Sequence, residues 1–548
     1  MNQSACGTQL IISIESFSPH SRSDRDYEER IRMSAGTLPP DFFPPGLCLR
    51  NLLYRMEWIM NFDKTGRNLT MLMDFYELTM ANGYYVHGFK DKWAVFDMFY
   101  RKNPDNAGFV ISAGLEQFIE YIESLHFDEE DIAYLRSRNM FDEGFLDYLK
   151  DFHFHGTIEA VPEGTIVYPY MPIITVTAPV IDAQIIETML LLTINHQSLI
   201  ATKANRICRQ AGDAIVMEFG ARRAQGPDAA IHGARACYIG GADATATVIA
   251  DQLYGIKAVG TMAHSWVQFF ETEYDAFKAY AETYPDDCTL LIDTYDIMNS
   301  GAVNAVRVAK EVLEPQGKRL KGVRIDSGDL AYFSKKLRRY LDVNGCEDCK
   351  IVVSNSIDEW LLASLNAQGA KIDSYGVGER MITAKSDPVF GGVYKLAAVR
   401  EDDGTFSPRI KISENEEKIT NPGKKTLWRI FDNTDGHGIC DVLTLEGEEI
   451  DSSQPYHVKY PRKPWKDITL TNFTAKKLMV PIFVEGELVY KKPSLEKIRR
   501  YVQSQLKHTV WAEEQRFENP HLHYTDLSLK LYDLKTALLA ENKTREKG

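Results

Sequence analysis

Cysteine is scarce: 8 in 548 residues. That is too few for a disulfide scaffold and points to a reducing cytoplasm. One pair, Cys346 and Cys349, has CxxC spacing, but zinc would need two more ligands at similar spacing and none follows. Ordinary thiols on a turn are expected. Basic residues are short as well. The 63 Lys and Arg against 77 Asp and Glu leave a net charge of −14, without the broad positive field of a nucleic-acid surface. No apolar run approaches the ~20 residues that cross a bilayer. The N-terminus lacks the basic segment and apolar core of a secretory signal. Neither GxxxxGK[ST] nor a GxGxxG following a strand occurs, which argues against the standard nucleotide folds. What is present is a soluble globular composition, 44% apolar and 26% charged. The length suits several domains, or one large domain with additions. Small molecules are the expected partners, with no nucleic acid and no membrane.

Residues 1–61 stand apart. Ser, Arg, Asp and Pro dominate 16–45, Pro39-Pro40 and Pro44-Pro45 break any period, and a disordered extension is expected. Met56 and Met60 are alternative starts. Residues 62–180 read as an α+β domain. It has a helical pattern over 69–85, an aromatic strand over 93–100, an amphipathic helix over 115–125 and short strands over 156–161, 165–169 and 173–177. A long helical pattern over 182–210 is closed by Gly212.

From residue 214 strands and helices alternate. Strands are expected at 214–219, 256–261, 288–293, 322–326, 350–354 and 371–376. Helices are expected near 243–253, 265–280, 303–313, 330–341 and 358–368. This rhythm implies parallel pairing with right-handed crossovers, and runs such as Thr289-Leu290-Leu291-Ile292 fit strands buried on both faces. A β/α barrel over 181–392 is the economical solution, with its active site at the C-terminal strand ends. After 393, strands at 393–399, 409–412, 426–431 and 440–445 and a basic helix at 495–507 make a β-rich and helical region to 548.

The strand ends carry polar clusters. Lys203, Arg206, Arg222, Arg223, Arg235, Arg324, Arg380 and Lys395 are the cations expected to line a cleft. With the turns at Gly240-Gly241 and Gly376-Val377-Gly378 they suit phosphate or carboxylate groups. His264 is one of 13 histidines and by itself would be a structural one. Its place after a strand, with Asp293 at the end of the next, makes it a candidate base or nucleophile whose tautomer a carboxylate fixes. Asp326 and Asp329 can hold ribose hydroxyls or a Mg²⁺ that carries phosphates, or else cap a turn and a helix. Phe219 and Tyr76 are rings that can stack on a planar substrate or simply pack.

These segments together resemble the nicotinate phosphoribosyltransferase family. The resemblance runs from about residue 69 to 527. It is carried by DFYELTMANGY (74–84), EFGARRAQG (218–226), GGADATAT (240–247), GTMAHSW (260–266), DTYD (293–296), GVRIDSGDL (322–330), SNSIDE (354–359), YGVGER (375–380) and GGVYKL (391–396). It implies a type II phosphoribosyltransferase: an irregular α/β barrel with an N-terminal α+β domain and a C-terminal extension, and a homodimer with a shared active site. The implied reaction joins nicotinate to 5-phosphoribosyl 1-diphosphate (PRPP), with Mg²⁺ present and ATP hydrolysis coupled, in NAD salvage. His264 matches the histidine that ATP phosphorylates, and Asp293 its orienting carboxylate. Arg324 matches the arginine at the pyridine carboxylate and ribose, Phe219 the ring beneath the pyridine, and Tyr76 a tyrosine from the neighbouring subunit. Arg222, Arg223, Gly376 and Gly378 match phosphate or diphosphate contacts. Asp243, Ser327, Gly328, Ser354 and Asn355 join the expected substrate contacts, with Asp326 as catalytic group and metal ligand. Met73 stands where relatives often carry Thr. Two other readings remain: a nicotinamide-using relative on the same barrel, and a silent barrel that binds PRPP or nucleotides.

Overall fold

The structure is a computed structural model and describes residues 67–545 except 462–464 and 466. The N-terminal extension expected over 1–61 lies outside the described residues. The β/α alternation folds into a six-stranded sheet in the spatial order Ala244–Thr245, Ile215–Glu218, Ser374–Val377, Lys350–Ser354, Gly322–Ile325, Thr289–Leu291. Every pairing in it is parallel. Val323, Ile325, Ile351, Val353 and Val377 are fully buried, as a sheet covered on both faces requires. The first strand of the series pairs with the last, Ile215 with Ser374. That pairing curls a consecutive series into a ring.

The ring has a seam. The segment expected as a strand over 256–261 makes one parallel bridge, Ala258 to Thr245. Two hydrogen bonds, Thr245 N to Lys257 O at 3.1 Å and Val259 N to Thr245 O at 2.8 Å, hold it. Among the described residues no strand pairing joins it to Thr289–Leu291. The segment makes only this bridge and is not a regular strand, whereas Thr289–Leu291 on the other side of the seam is one with a single neighbour. Two helices also differ from expectation. The pattern over 265–280 is split into His264–Phe269 and Glu273–Thr283, because the Thr272 side chain accepts from Asp275 N and starts a second helix there. The crossover before Ala244 is Pro227–Gly240, a helix opened by proline in its first turn. The helix expected near 243–253 is confined to Val248–Tyr254, and its first residues form the Ala244–Thr245 strand instead.

A seven-stranded sheet in the order Phe406–Pro408, Gly392–Arg400, Trp93–Tyr100, Ile174–Pro179, Thr157–Ala160, Val480–Val484, Glu487–Leu488 flanks the barrel. The chain thus returns after the barrel to pair Lys395 opposite Asp97. The strand expected over 409–412 is Phe406–Pro408 instead, and Lys411 N is taken up by Thr420 Oγ1. A third sheet, also six-stranded, is built around Lys425–Asp432, Gly438–Leu445 and Thr525–Ser528. Cys346 and Cys349 are buried free thiols, with Cys349 N bonded to Cys346 O across a turn.

Three cations expected in the cleft are interior instead. Lys203 Nζ donates to Glu359 Oε1 at 2.8 Å and Asp105 Oδ2 at 3.0 Å, and Arg206 Nε to the same Glu359 oxygen at 2.9 Å. Arg235 is fully buried between Glu163 at 2.7 Å and Glu116 at 2.5 Å. Charges this deep persist only when paired. Their place is the packing of the Glu187–Ala211 and Pro227–Gly240 helices, not the site. Lys395 turns away as well, donating to the carbonyl of Tyr394 at 2.7 Å.

A fourth buried group has a pH signature. The His523 ring stacks on Tyr168 at 3.7 Å, bonds Glu514 through Nδ1 at 3.2 Å, and lies 3.7 Å from Asp441 Oδ2. Asp441 is itself paired with Arg429 at 2.8 Å. Burial opposes the charged ring, but the two carboxylates outweigh it and raise its pKa above the ordinary 6.5. A raised folded-state value means that the stabilisation is complete below pH 6.5 and is lost as pH rises through the folded pKa. Melting curves of the wild type and His523→Asn should therefore converge as pH rises from 6.5. Parallel curves from pH 6 to 9 would show that the ring stays neutral.

Candidate active site at the barrel seam

His264 opens the short helix His264–Phe269 on one side of the seam, and Asp293 ends the strand segment on the other. The ring Nδ1 is 3.1 Å from Thr294 Oγ1. Nε2 is 3.9 Å from Asp293 Oδ1, a charge contact too long for a hydrogen bond. The expected orienting carboxylate thus does not hold the ring by a hydrogen bond; the neighbouring threonine does. Asp293 instead accepts from Asp326 N and Ser327 Oγ, both at 2.7 Å, and fixes the DSGD turn. Its Oδ1 is buried without a hydrogen-bond partner, while the His264 side chain is 41% exposed.

Arg324 is the hub. It points from the Gly322–Ile325 strand, with Nε on Ser354 Oγ at 3.0 Å, Nη1 on Thr261 Oγ1 at 3.2 Å and Nη2 on Asp326 Oδ1 at 3.4 Å. The Ser354 hydroxyl in turn donates to Asp326. Two strand ends and the 260–266 loop are thereby joined. The Arg324 guanidinium carbon lies 5.7 Å from the centre of the Phe219 ring. That ring lies so close to Gly376 that a Cβ there would come within 2.5 Å of Phe219 Cδ2. Gly376 is therefore needed to seat the ring, rather than for backbone freedom. Gly378 borders the same residue, with Phe219 O 3.2 Å from where its Cβ would be.

The rest of the expected set divides. Ser327 and Gly328 (φ +81°) form the exposed DSGD turn, and Asn355 has φ +86° at the end of the Lys350–Ser354 strand. A non-glycine residue there is uncommon and clusters at working rims. Asp329 caps the next helix through Tyr332 N at 2.9 Å. Arg222 and Arg223 are exposed on the turn after Phe219. Arg223 lies beside Glu379, whose carboxyl is held below its usual range, first by Lys385 and then by Arg223 and Arg380. Arg380 pairs with Asp358 at 3.1 Å.

Asp243 is not in the group. It precedes its strand, accepts from Val216 N at 3.0 Å and pairs with Arg499 at 2.7 Å. That places it at the N-terminal strand ends, where barrel residues serve stability. Tyr76 is 44% exposed on the Phe75–Val86 helix, outside the cluster that Arg324 knits. Partial burial first, then Glu187 and Glu77, push its hydroxyl pKa up. Thr261, Thr294 and Glu218 are not among the residues expected from the sequence, although each lies inside the GTMAHSW, DTYD or EFGARRAQG segment. Glu218 is fully buried; it accepts from Thr245 Oγ1 at 2.6 Å and from Gly220 N and so shapes the turn that carries Phe219.

The profile described as the nicotinate phosphoribosyltransferase (NAPRTase) family matches residues 215–405, with its N-terminal domain at 71–195 and its C-terminal domain at 424–535. A nicotinate phosphoribosyltransferase of Bacillus subtilis (strain 168) is 42% identical over 480 residues, 87% of this chain and 96% of its own length. One of Caenorhabditis elegans is 36% identical over 533 residues, covering 86% and 93%. The crystal structure of human nicotinic acid phosphoribosyltransferase matches with a TM-score of 0.75 at 28% identity, over 86% of this chain and all of that one. The chain belongs to the nicotinate phosphoribosyltransferase family.

Proposed function

We propose that this chain joins nicotinate to PRPP to give nicotinate mononucleotide and diphosphate. ATP hydrolysis to ADP and phosphate is coupled to it through His264. The carrying observation is the Arg324 cluster: one guanidinium set against an aromatic ring and tied to Asp326 and Ser354. A pyridine ring against Phe219 brings its carboxylate towards Arg324, a planar fork that suits a carboxylate. The pyridine nitrogen forms the bond to C1 of the ribose as the C1–oxygen bond breaks, and the electron pair leaves on diphosphate. Positive charge gathers on the ribose in the transition state, so the residues act by positioning and by neutralising the leaving group. Arg222 and Arg223, exposed beside Phe219, suit that leaving group. Asp326 and Ser354 suit the ribose.

No set of three or more His, Cys, Asp or Glu side chains among the described residues is arranged to hold a metal. The rim fits a Mg²⁺ that arrives on substrate phosphates with Asp326 as one protein ligand, as this ion commonly binds. Such an ion would offset the charge of the departing diphosphate. Catalysis falls within residues 181–392, flanked by domains over 62–180 and 393–548. Tyr76, exposed and outside the cluster, fits a homodimer in which it reaches the partner's site. Among the described residues no helix is long and apolar enough to cross a membrane, and a cytoplasmic enzyme is the reading that the cysteine usage favours.

The test is product formation from pure protein, PRPP, Mg²⁺ and nicotinate, with and without ATP, and with nicotinamide in place of nicotinate. Nicotinate should be preferred and ATP should stimulate. His264→Ala should abolish the stimulation and leave the ATP-independent rate. A variant that is still stimulated would remove His264 from the coupling, and absence of product from the wild type would leave a binding barrel.

A further inference from the structure

The seam lacks strand pairing, yet His264 and Asp293 must keep their separation across it. Side chains elsewhere close the gap. Trp266, two residues beyond His264, donates from Nε1 to Ala276 O at 3.0 Å and packs on Phe270 at 5.0 Å and Tyr280 at 6.1 Å. That fastens the His264 helix to Glu273–Thr283. Glu273, 5% exposed, then reaches across the seam. Its Oε2 accepts from Ser300 Oγ and from Asn304 Nδ2 at 2.9 Å, while its Oε1 is buried without a hydrogen-bond partner. Ser300 lies in the Ile297–Gly301 turn after the DTYD motif. Gly301 there lies so close to the strand end that a Cβ would meet Ile292 O at 1.9 Å. Ile292 directly precedes Asp293. The path from His264 through Trp266, Glu273, Ser300 and Gly301 to Asp293 is a closed loop of contacts, and the Thr294 hydroxyl on the imidazole is its last link.

We propose that Glu273 is a positioning residue. As a clamp across the barrel seam, it holds His264 at working distance from Asp293 and thereby sets the coupling to ATP. A buried carboxylate bound only by neutral donors is costly as a mere fastener, and its place at the one gap of the ring gives it a use. The inference rests on the proposed role of His264 for its kinetic consequence, but not for its structural one.

The experiment compares Glu273→Ala, Glu273→Gln and Trp266→Phe with the wild type by hydrogen exchange of the folded chain and by turnover with and without ATP. Glu273→Ala should raise amide exchange over 264–269 and 297–301 by about tenfold, as loss of one or two net hydrogen bonds implies. Exchange over 322–325 and 350–354 should not change. It should lower the ratio of ATP-stimulated to ATP-independent turnover towards one. Glu273→Gln, which keeps the acceptor, should restore both. Should Glu273→Ala fail to fold, Trp266→Phe, which loses the indole N–H and part of the ring that packs on Phe270 and Tyr280, should loosen 264–269 and lower the ratio in the same direction. Unchanged exchange at the seam, or both turnovers falling by one common factor, would overturn the proposal. A wild type that makes product without ATP stimulation would defeat the coupling role of His264, and the clamp would then stand or fall on the exchange data.

Discussion

Arg324→Ala lowers kcat/KM for nicotinate by roughly 10²–10³-fold, the cost of removing one preorganised electrostatic contact in a water-poor site. The substitution strips the common partner from Ser354, Thr261 and Asp326 and the charge from beside Phe219. Stability should fall by less than activity, because the Arg324 side chain, 16% exposed, sits at a strand end and Asp326 beside it keeps its hydrogen bond from Ser354. Lysine should not rescue it, since an ammonium cannot reach three acceptors and face a ring in one plane. Steady-state kinetics with nicotinate varied at saturating PRPP is the measurement. Arg324→Ala within twofold of the wild type would move the pyridine site elsewhere.

Arg235→Ala has the opposite signature. It leaves Glu163, 3% exposed, buried without its cation, and breaking one partner out of a buried pair costs about 3–5 kcal/mol. Glu163 keeps only Gly114 N among its present donors. A large drop in the chemical denaturation midpoint is expected, with KM for both substrates unchanged in whatever fraction stays folded. A normal midpoint with raised KM would mean that Arg235 faces substrate after all.

These two arginines look alike in the sequence. Both lie in helix–strand country near glycine turns, and both count as cleft cations. What separates them is the carboxylates at Glu116 and Glu163, which come from over 70 residues away and are invisible to local pattern. Lys203 and Arg206 went astray for the same reason, through Glu359. The strand ends fared better. A run that stops at a polar cluster reports its own rim, so His264, Asp293, Arg324, Asp326 and Ser354 were brought together as their positions implied. Asp243 failed by direction. GGADATAT carries its aspartate before the Ala244–Thr245 strand, hence at the opposite mouth of the barrel. The seam was not legible, because 256–261 has the composition of a strand, and its single bridge to Thr245 is a matter of tertiary pairing that local pattern does not report.

The return of Gly392–Arg400 to lie beside Trp93–Tyr100 has a consequence for biosynthesis. While the ribosome is still making the barrel, one edge of that aromatic strand has no neighbour, and it stays bare until residue 400 has emerged. An unpaired apolar edge of this kind is adhesive, and contacts so distant along the chain form late and slowly. Nascent chains halted before residue 392 should therefore lean on chaperones more heavily than the finished protein does.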